Sequence, residues 1–350
     1  MLFMTQRITR RSFIKTAAAT GIAATIGFSG CLSGNGKSIV KISHAGSLAY
    51  PFNNIKEAYE EQNQDIEIQR EAHGSVDAVR QVTELDKKID IVGVADYTLI
   101  PNMMLNEYTD WYARFARNKY TIAYTDESSY SDEINSENWY EILGRDDVRF
   151  GFSNPNADPA GYRSQMVIQL AENYYGNNEI YENLIGQNSN FEMTEQDDEY
   201  ILEMPPTSDI EVDTDKIMLR SKEVDLLSGL EGGEIDYLFI YGSVATQHEH
   251  NMIELPTEID LSSVDYADTY GKVGVKIAGG STVYGKPIVY GITMPNNSQN
   301  PELAADVVKF ILSDKGDQIM SDAGQPPINP AVVNDMEAVP EEISDLVTEA

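Results

Sequence analysis

The chain has 350 residues with 25 basic and 57 acidic side chains, a formal net charge of −32, and a single cysteine. An acidic excess spread along the whole chain repels nucleic acid and anionic lipid, and one cysteine leaves no intramolecular disulfide to make. The length suits two domains of ordinary size, and such acidity is the habit of proteins working in concentrated salt, so a halophilic archaeon is the expected source.

The first residues read as an address. The run Thr9-Arg10-Arg11-Ser12-Phe13-Ile14-Lys15 precedes an Ala-rich apolar stretch from Thr16 to Phe28, which ends in Phe28-Ser29-Gly30-Cys31. That stretch is far short of the roughly 20 residues a bilayer span requires, and its twin arginine and small residues fit an export signal over residues 1–30. Its end resembles a lipobox, which makes Cys31 the expected point of lipid attachment. Residues 31–37 follow as a polar tether that behaves as flexible coil. Nothing after residue 31 is long and apolar enough to cross a bilayer, so the expected location is the extracellular face of the cell membrane, reached by the twin-arginine pathway and held by a lipid anchor only.

The folded part then alternates strands and helices. Ile39 to Ser43 alternates apolar and polar residues and runs into His44-Ala45-Gly46-Ser47, a strand ending in a glycine turn. Pro51 suits a first helical turn, and Phe52, Ile55 and Tyr59 follow at helical spacing. The pattern recurs with the strand Ile66 to Ile68, the turn Gly74-Ser75, an amphipathic helix carrying Val76, Val79, Val82 and Leu85, and the apolar strand Ile89 to Ala95. A third unit has the strand Val148 to Phe152, a loop from Ser153 to Pro159, and a helix from Ala160 to Tyr175, with Asp158 placed to cap it and Pro159 at its first position. A fourth runs from Ser221 through Leu226, Leu227 and Leu230 to a stop at Gly232-Gly233, then the strand Ile235 to Tyr241. Such alternation predicts α/β architecture with mainly parallel sheets. The polar, acidic segment from Gly186 to Asp215, with its Pro205-Pro206, reads as a long surface excursion.

Two strands, Tyr120 to Thr125 and Pro287 to Pro295, read as crossings between lobes. Residues 38–118 and 292–350 are then one lobe and 119–291 the other. A cleft lies at the carboxyl ends of the strands, where open α/β sheets bind ligands.

The loops suggest the ligand. In Gly46-Ser47 and Gly74-Ser75 a glycine lets the backbone expose N–H groups and a serine adds a hydroxyl donor, each before a helix whose N-terminus favours negative charge. That is a cage for an oxyanion. A single Gly-Ser turn is more often an ordinary helix cap, but two of them, with helix starts at Asp158 and Ser221 opposite, favour the cage. Catalytic motifs are weaker: His44 and Ser47 lack a G-x-S-x-G elbow, and Ala278-Gly279-Gly280-Ser281 is no P-loop. His248-Glu249-His250 lacks the spacing of a helical zinc site and reads as solvent-exposed loop.

Six segments in order, His44-Ala45-Gly46-Ser47-Leu48, Arg70 to Val76, Ala95 to Pro101, Gly151 to Asn156, Asp158 to Arg163 and Gly233 to Tyr237, resemble the archaeal tungstate/molybdate-binding proteins of the WtpA/ModA type. The resemblance covers about residues 38 to 330. It implies a bilobed type II periplasmic-binding-protein fold, two α/β lobes joined by two crossover strands around the ligand cleft. It also implies a monomer with no catalytic activity and no cofactor, which closes on tungstate or molybdate and delivers it to an ABC permease with its own ATPase. The anion contacts carried over are Gly46, Ser47, Ser75, Asp158, Pro159, Ala160, Glu223 and Tyr241. Relatives often have cysteine where Ala160 stands: a backbone N–H contact there would survive the substitution, whereas a thiol role would be absent. Asp225 and Glu234 are alternatives to Glu223. The resemblance further implies that oxygens of Asp158 and Glu223 complete the shell of tungsten or molybdenum, which sulfur in sulfate cannot accept. A receptor for sulfate or phosphate, or a secreted hydrolase using Asp158 and Glu223 as an acid/base pair, are the competing expectations.

Overall fold

The computed structural model describes residues 37–350 except 197–198, 279 and 281. The expected export signal, Cys31 and most of the tether lie outside the described residues. In chain order the strands are β1 (Ser38–Ala45), β2 (Ile66–His73), β3 (Ile91–Val94), β4 (Ala113–Arg117), β5 (Tyr120–Tyr124), β6 (Phe150–Ser153), β7 (Glu192–Gln196), β8 (Glu199–Glu203), β9 (Ile217–Arg220), β10 (Tyr237–Tyr241), β11 (Asn251–Ile253), β12 (Val273–Lys276), β13 (Thr282–Tyr284), β14 (Val289–Thr293), β15 (Pro327–Val333) and β16 (Val347–Glu349). They form a seven-stranded sheet in the order β16-β15-β4-β14-β3-β1-β2, a five-stranded sheet in the order β11-β5-β10-β6-β9, and a four-stranded sheet in the order β13-β12-β8-β7.

Connectivity divides the molecule into two lobes. The chain leaves the seven-stranded sheet at Arg117, starts β5 of the five-stranded sheet at Tyr120, and re-enters the first sheet at β14 after β13. Each of the two larger sheets is covered on both faces. One apolar cluster joins Val40, Phe52 and Ile55 to Phe115 and Val308, and another places Val79 and Val82 against Val92 and Ile100. In the other lobe Trp139, Phe150, Phe239 and Val167 share one core, while Leu226, Leu230, Leu238 and Ile240 share a second. Double coverage explains why β3 and β10 read as continuous apolar runs.

Three expectations need correction. The sheets are mixed rather than mainly parallel: β1 pairs in parallel with β2 and β3, but β14 runs antiparallel to β3 and β4, and β5 antiparallel to β10. A strand's own residues report its burial, not the direction of a neighbour that arrives from the other lobe. The segment from Gly186 to Asp215 contains β7 and β8, and β8 buries Leu202 in the second lobe's core. Its acidic residues hid two strands of the four-stranded sheet, whose inward face is supplied by few apolar side chains. Finally, the helix Ser75–Thr83 buries Ala78, Val79 and Val82; Val76 lies on its exposed face, and Leu85 is exposed because the helix ends before it.

Candidate functional site

β1, β2 and β3 lie side by side in parallel, with Ala45 opposite His73 and His44 opposite Gly93, so their carboxyl ends open on one edge. At that edge Gly46 starts a short 3-10 turn, Gly46–Leu48, and Gly74 precedes the helix Ser75–Thr83. Gly46 and Ser47 are exposed. Neither serine caps a helix, because Leu48 and Gly74 occupy the N-cap positions and no side-chain cap bond forms. Ser75 Oγ instead accepts from the Ala95 N–H at 3.1 Å, which fixes the loop after β3 and leaves the hydroxyl proton free to donate elsewhere. The Ser47 carbonyl accepts from Gln325 Nε2 at 2.7 Å. Tyr290 Oη in turn receives Gln325 Nε2 and Asn118 Nδ2, both at 3.1 Å, and Asn118 also donates to Ser243 Oγ of the other lobe at 2.8 Å. This edge is therefore tied to the crossovers through neutral groups.

The facing edge belongs to the five-stranded sheet. β6 pairs in parallel with β10 and β9, so Ser153, Arg220 and Tyr241 end together. Asp158 caps the helix Pro159–Tyr175: its Oδ1 accepts from the Ala160 N–H at 3.1 Å, and its Oδ2 accepts from the Glu223 N–H at 2.8 Å. Pro159 is exposed at the first helical position, while Ala160 is fully buried and its carbonyl accepts from Tyr120 Oη at 2.6 Å. Gly161 is required here, because a Cβ would stand 2.2 Å from the Ser153 carbonyl oxygen. The helix that follows β9 runs Val224–Glu231, beginning three residues later than the start expected at Ser221, with Glu223 as its N-cap. The bond to Asp158 holds Glu223 at that position. Asp225 and Glu234, the alternatives to Glu223, are exposed.

Glu223 is the unusual group. Its Oε2 is sealed from solvent and has no hydrogen-bond partner. Burial, reinforced by the nearby Asp158 charge, pushes its carboxyl up to about 8, against opposing contributions from a Tyr241 backbone hydrogen bond and Arg163. Glu223 is therefore largely protonated near neutrality. Arg163 donates to Tyr241 Oη, and its guanidinium lies 5.5 Å from the Tyr241 ring centre and 5.6 Å from that of Tyr162. Burial raises the Tyr241 phenol well above its usual range and keeps it neutral. Tyr120 packs edge-on against Tyr241 at 5.4 Å.

Of the residues named from sequence, Asp158, Ala160, Glu223 and Tyr241 meet on this edge, with Pro159 beside them. Gly46, Ser47 and Ser75 share the other. Arg163 was missed, and a signal existed: it lies three residues beyond Ala160, one helical turn along the same face. The neutral-cage expectation thus omitted a cation. His44 does not serve Ser47, since its Nδ1 is 2.8 Å from the Ala45 carbonyl oxygen and its Nε2 is 3.3 Å from Arg70 Nη1.

The sequence profile of the family described as bacterial extracellular solute-binding protein matches residues 40–325. The chain belongs to this family. Its similar relatives include an uncharacterised solute-binding protein of Methanococcus maripaludis strain C5, 49% identical over 338 residues that cover 94% of this chain and 96% of the relative. Others carry the name molybdate/tungstate-binding protein WtpA: that of Thermococcus kodakarensis is 46% identical, covering 87% of this chain and 86% of its own, and that of Pyrococcus abyssi is 46% identical, covering 91% and 94%. Among solved structures, a substrate-binding domain assigned to a molybdenum ABC transporter of Clostridium difficile superposes with a TM-score of 0.54 at 16% identity, covering 83% of this chain and 100% of that one. The periplasmic molybdate-binding protein of Azotobacter vinelandii gives 0.50 at 12% identity, covering 82% and 98%. These likenesses establish the fold, a bilobed type II periplasmic-binding arrangement. A member of this solute-binding family is a receptor and not a hydrolase, so the acid/base reading of Asp158 and Glu223 falls away.

Proposed function

We propose that the protein captures tungstate or molybdate between its lobes and delivers it to an ABC importer. Gly46, Ser47 and Ser75 contribute neutral donors from one edge, and Asp158, Pro159, Ala160, Glu223 and Tyr241 line the other. The lobes are 38–118 with 292–350, and 119–291. The observation that carries the reading is the unpartnered, solvent-sealed Oε2 of Glu223 beside Asp158. The charge on Asp158 opposes a plain anion, but a metal that expands its coordination can use both carboxyl groups once Glu223 releases its proton, which favours tungsten and molybdenum over sulfate and phosphate. Two relatives whose names specify molybdate and tungstate support the choice of cargo. Calorimetric titration with tungstate, molybdate and sulfate tests it: tungstate or molybdate should bind far more tightly than sulfate, and equal or tighter sulfate binding would overturn the assignment.

The receptor works as a monomer on the extracellular face of the membrane of a halophilic archaeon, exported by the twin-arginine route and anchored through Cys31. The motif around Cys31 and the excess of acidic residues support this. Cys31→Ser should release the protein from the membrane fraction; a native protein found wholly unlipidated in culture fluid would refute the anchor. Without screening salt the acidic surface should loosen the fold, so an unchanged melting temperature between low and molar salt would refute the halophilic reading.

A further inference from the structure

The two helices that begin beside Glu223 and Tyr241 also end close together. The helix Val224–Glu231 finishes at Glu231, and the helix Gly242–Gln247 is followed by His248. The chain then turns back at Glu249, which has a positive φ of 56°, and the His250 N–H donates to the Ala245 carbonyl at 3.0 Å. His248 Nδ1 is thereby 3.9 Å from Glu231 Oε1, and His250 Nε2 is 3.6 Å from the same oxygen. The imidazoles lie nearly parallel, 14° apart, and one ligand atom from each of the three residues falls within 4.8 Å of the others. The expectation of two solvent-exposed loop histidines is therefore half right. His248 is exposed, but the His250 side chain is only 7% exposed, and its Nε2 is buried without a hydrogen-bond partner. Sequence could not show this, because the third group comes from a different helix.

We propose that Glu231, His248 and His250 form a binding site for a divalent transition metal of the zinc class, distinct from the anion site. Two imidazoles and one carboxylate suit Zn²⁺, Co²⁺, Ni²⁺ or Cu²⁺ better than Mg²⁺ or Ca²⁺, which prefer all-oxygen shells. Tetrahedral zinc with bonds of about 2.0–2.1 Å holds neighbouring ligand atoms about 3.4 Å apart. The spacings of 3.6 and 3.9 Å are near that value, and His248 and Glu231, both exposed, are free to close the difference. A metal here joins the ends of two helices whose beginnings frame the anion site, and it accounts for a buried nitrogen that otherwise lacks a partner.

The test is calorimetric titration of the anion-free, full-length protein with Zn²⁺ in molar salt containing excess Mg²⁺, which occupies diffuse acidic sites. One Zn²⁺ per chain is expected, weakened at least tenfold by His250→Ala and by the exposed pair His248→Ala and Glu231→Gln, while tungstate binding persists. Co²⁺ should give the visible absorption of a tetrahedral site, lost in the same variants. Zn²⁺ binding that Mg²⁺ abolishes, or that survives His248→Ala and Glu231→Gln unchanged, would overturn the proposal.

Discussion

The two carboxyl edges that face the cleft are built on opposite principles. At the seven-stranded sheet, Gly46, Ser47 and Ser75 offer neutral donors on a backbone with room to spare: a Cβ on Gly46 would meet only the His73 carbonyl, at 3.8 Å. At the five-stranded sheet, Asp158, Glu223, Arg163 and Tyr241 are interlocked, and Gly161 has no room for a single added carbon. An edge of neutral donors can hold any tetrahedral oxyanion. On the proposed reading, discrimination comes from the charged edge, where tungsten or molybdenum can bond to carboxyl oxygens and the sulfur of sulfate cannot.

The largest expected effect tests the difference in rigidity. Gly161→Ala should cost about 3 kcal/mol or more, because a backbone oxygen must move, whereas Gly46→Ala should stay within about 0.5 kcal/mol. Denaturant unfolding of both variants checks this, and equal tolerance would break the contrast. Next comes specificity. Glu223→Gln should lower the ratio of tungstate to sulfate affinity at least about tenfold, some 1.4 kcal/mol, since an amide is a poorer ligand to tungsten than a carboxylate, while for sulfate it replaces one neutral group by another. Asp158→Asn should shift the ratio in the same direction but lose stability as well, because both oxygens of Asp158 accept N–H bonds and an amide NH₂ would face one of those donors. An unchanged ratio in both variants would remove the carboxylates from the ligand shell. The smallest effect belongs to the neutral edge: Ser75→Ala should weaken tungstate and sulfate alike, each by about 1 kcal/mol, leaving their ratio intact. A changed ratio there would mean that discrimination is shared between the edges.

Much of this was legible in the sequence, for reasons particular to each element. Asp158 followed by Pro159 is a local signal, since cap and first position are set by adjacent residues, and the structure forms that cap. β1 was visible because its apolar and polar residues alternate into a glycine turn, and β3, β5, β6, β10 and β14 because short apolar runs identify buried strands. What could not be read depends on residues far apart in the chain. The antiparallel strands β5 and β14 each follow a crossing between lobes, so their partners in the sheet lie far off in the chain. The start of the helix at Val224 is fixed by the bond from the N–H of its N-cap, Glu223, to Asp158, which lies 65 residues before Glu223. Arg163 stood inside a motif already singled out, but only the packing of Tyr241 against it shows a cation in the cleft wall.

Protonation of Glu223 provides the most direct test of the charged edge. A carboxyl raised from 4.5 to about 8 stabilises the fold most below 4.5, and that contribution is lost as pH rises through about 8. To bind tungsten through oxygen, Glu223 must give up that proton, whereas to donate a hydrogen bond to an intact anion it must keep it. The decisive measurement is tungstate titration calorimetry near neutral pH in buffers of different ionisation enthalpy. Coordination predicts net release of up to about one proton per tungstate, abolished by Glu223→Gln. Proton uptake, or no release in the unmodified protein, would contradict the claim that Glu223 becomes a ligand to the bound metal.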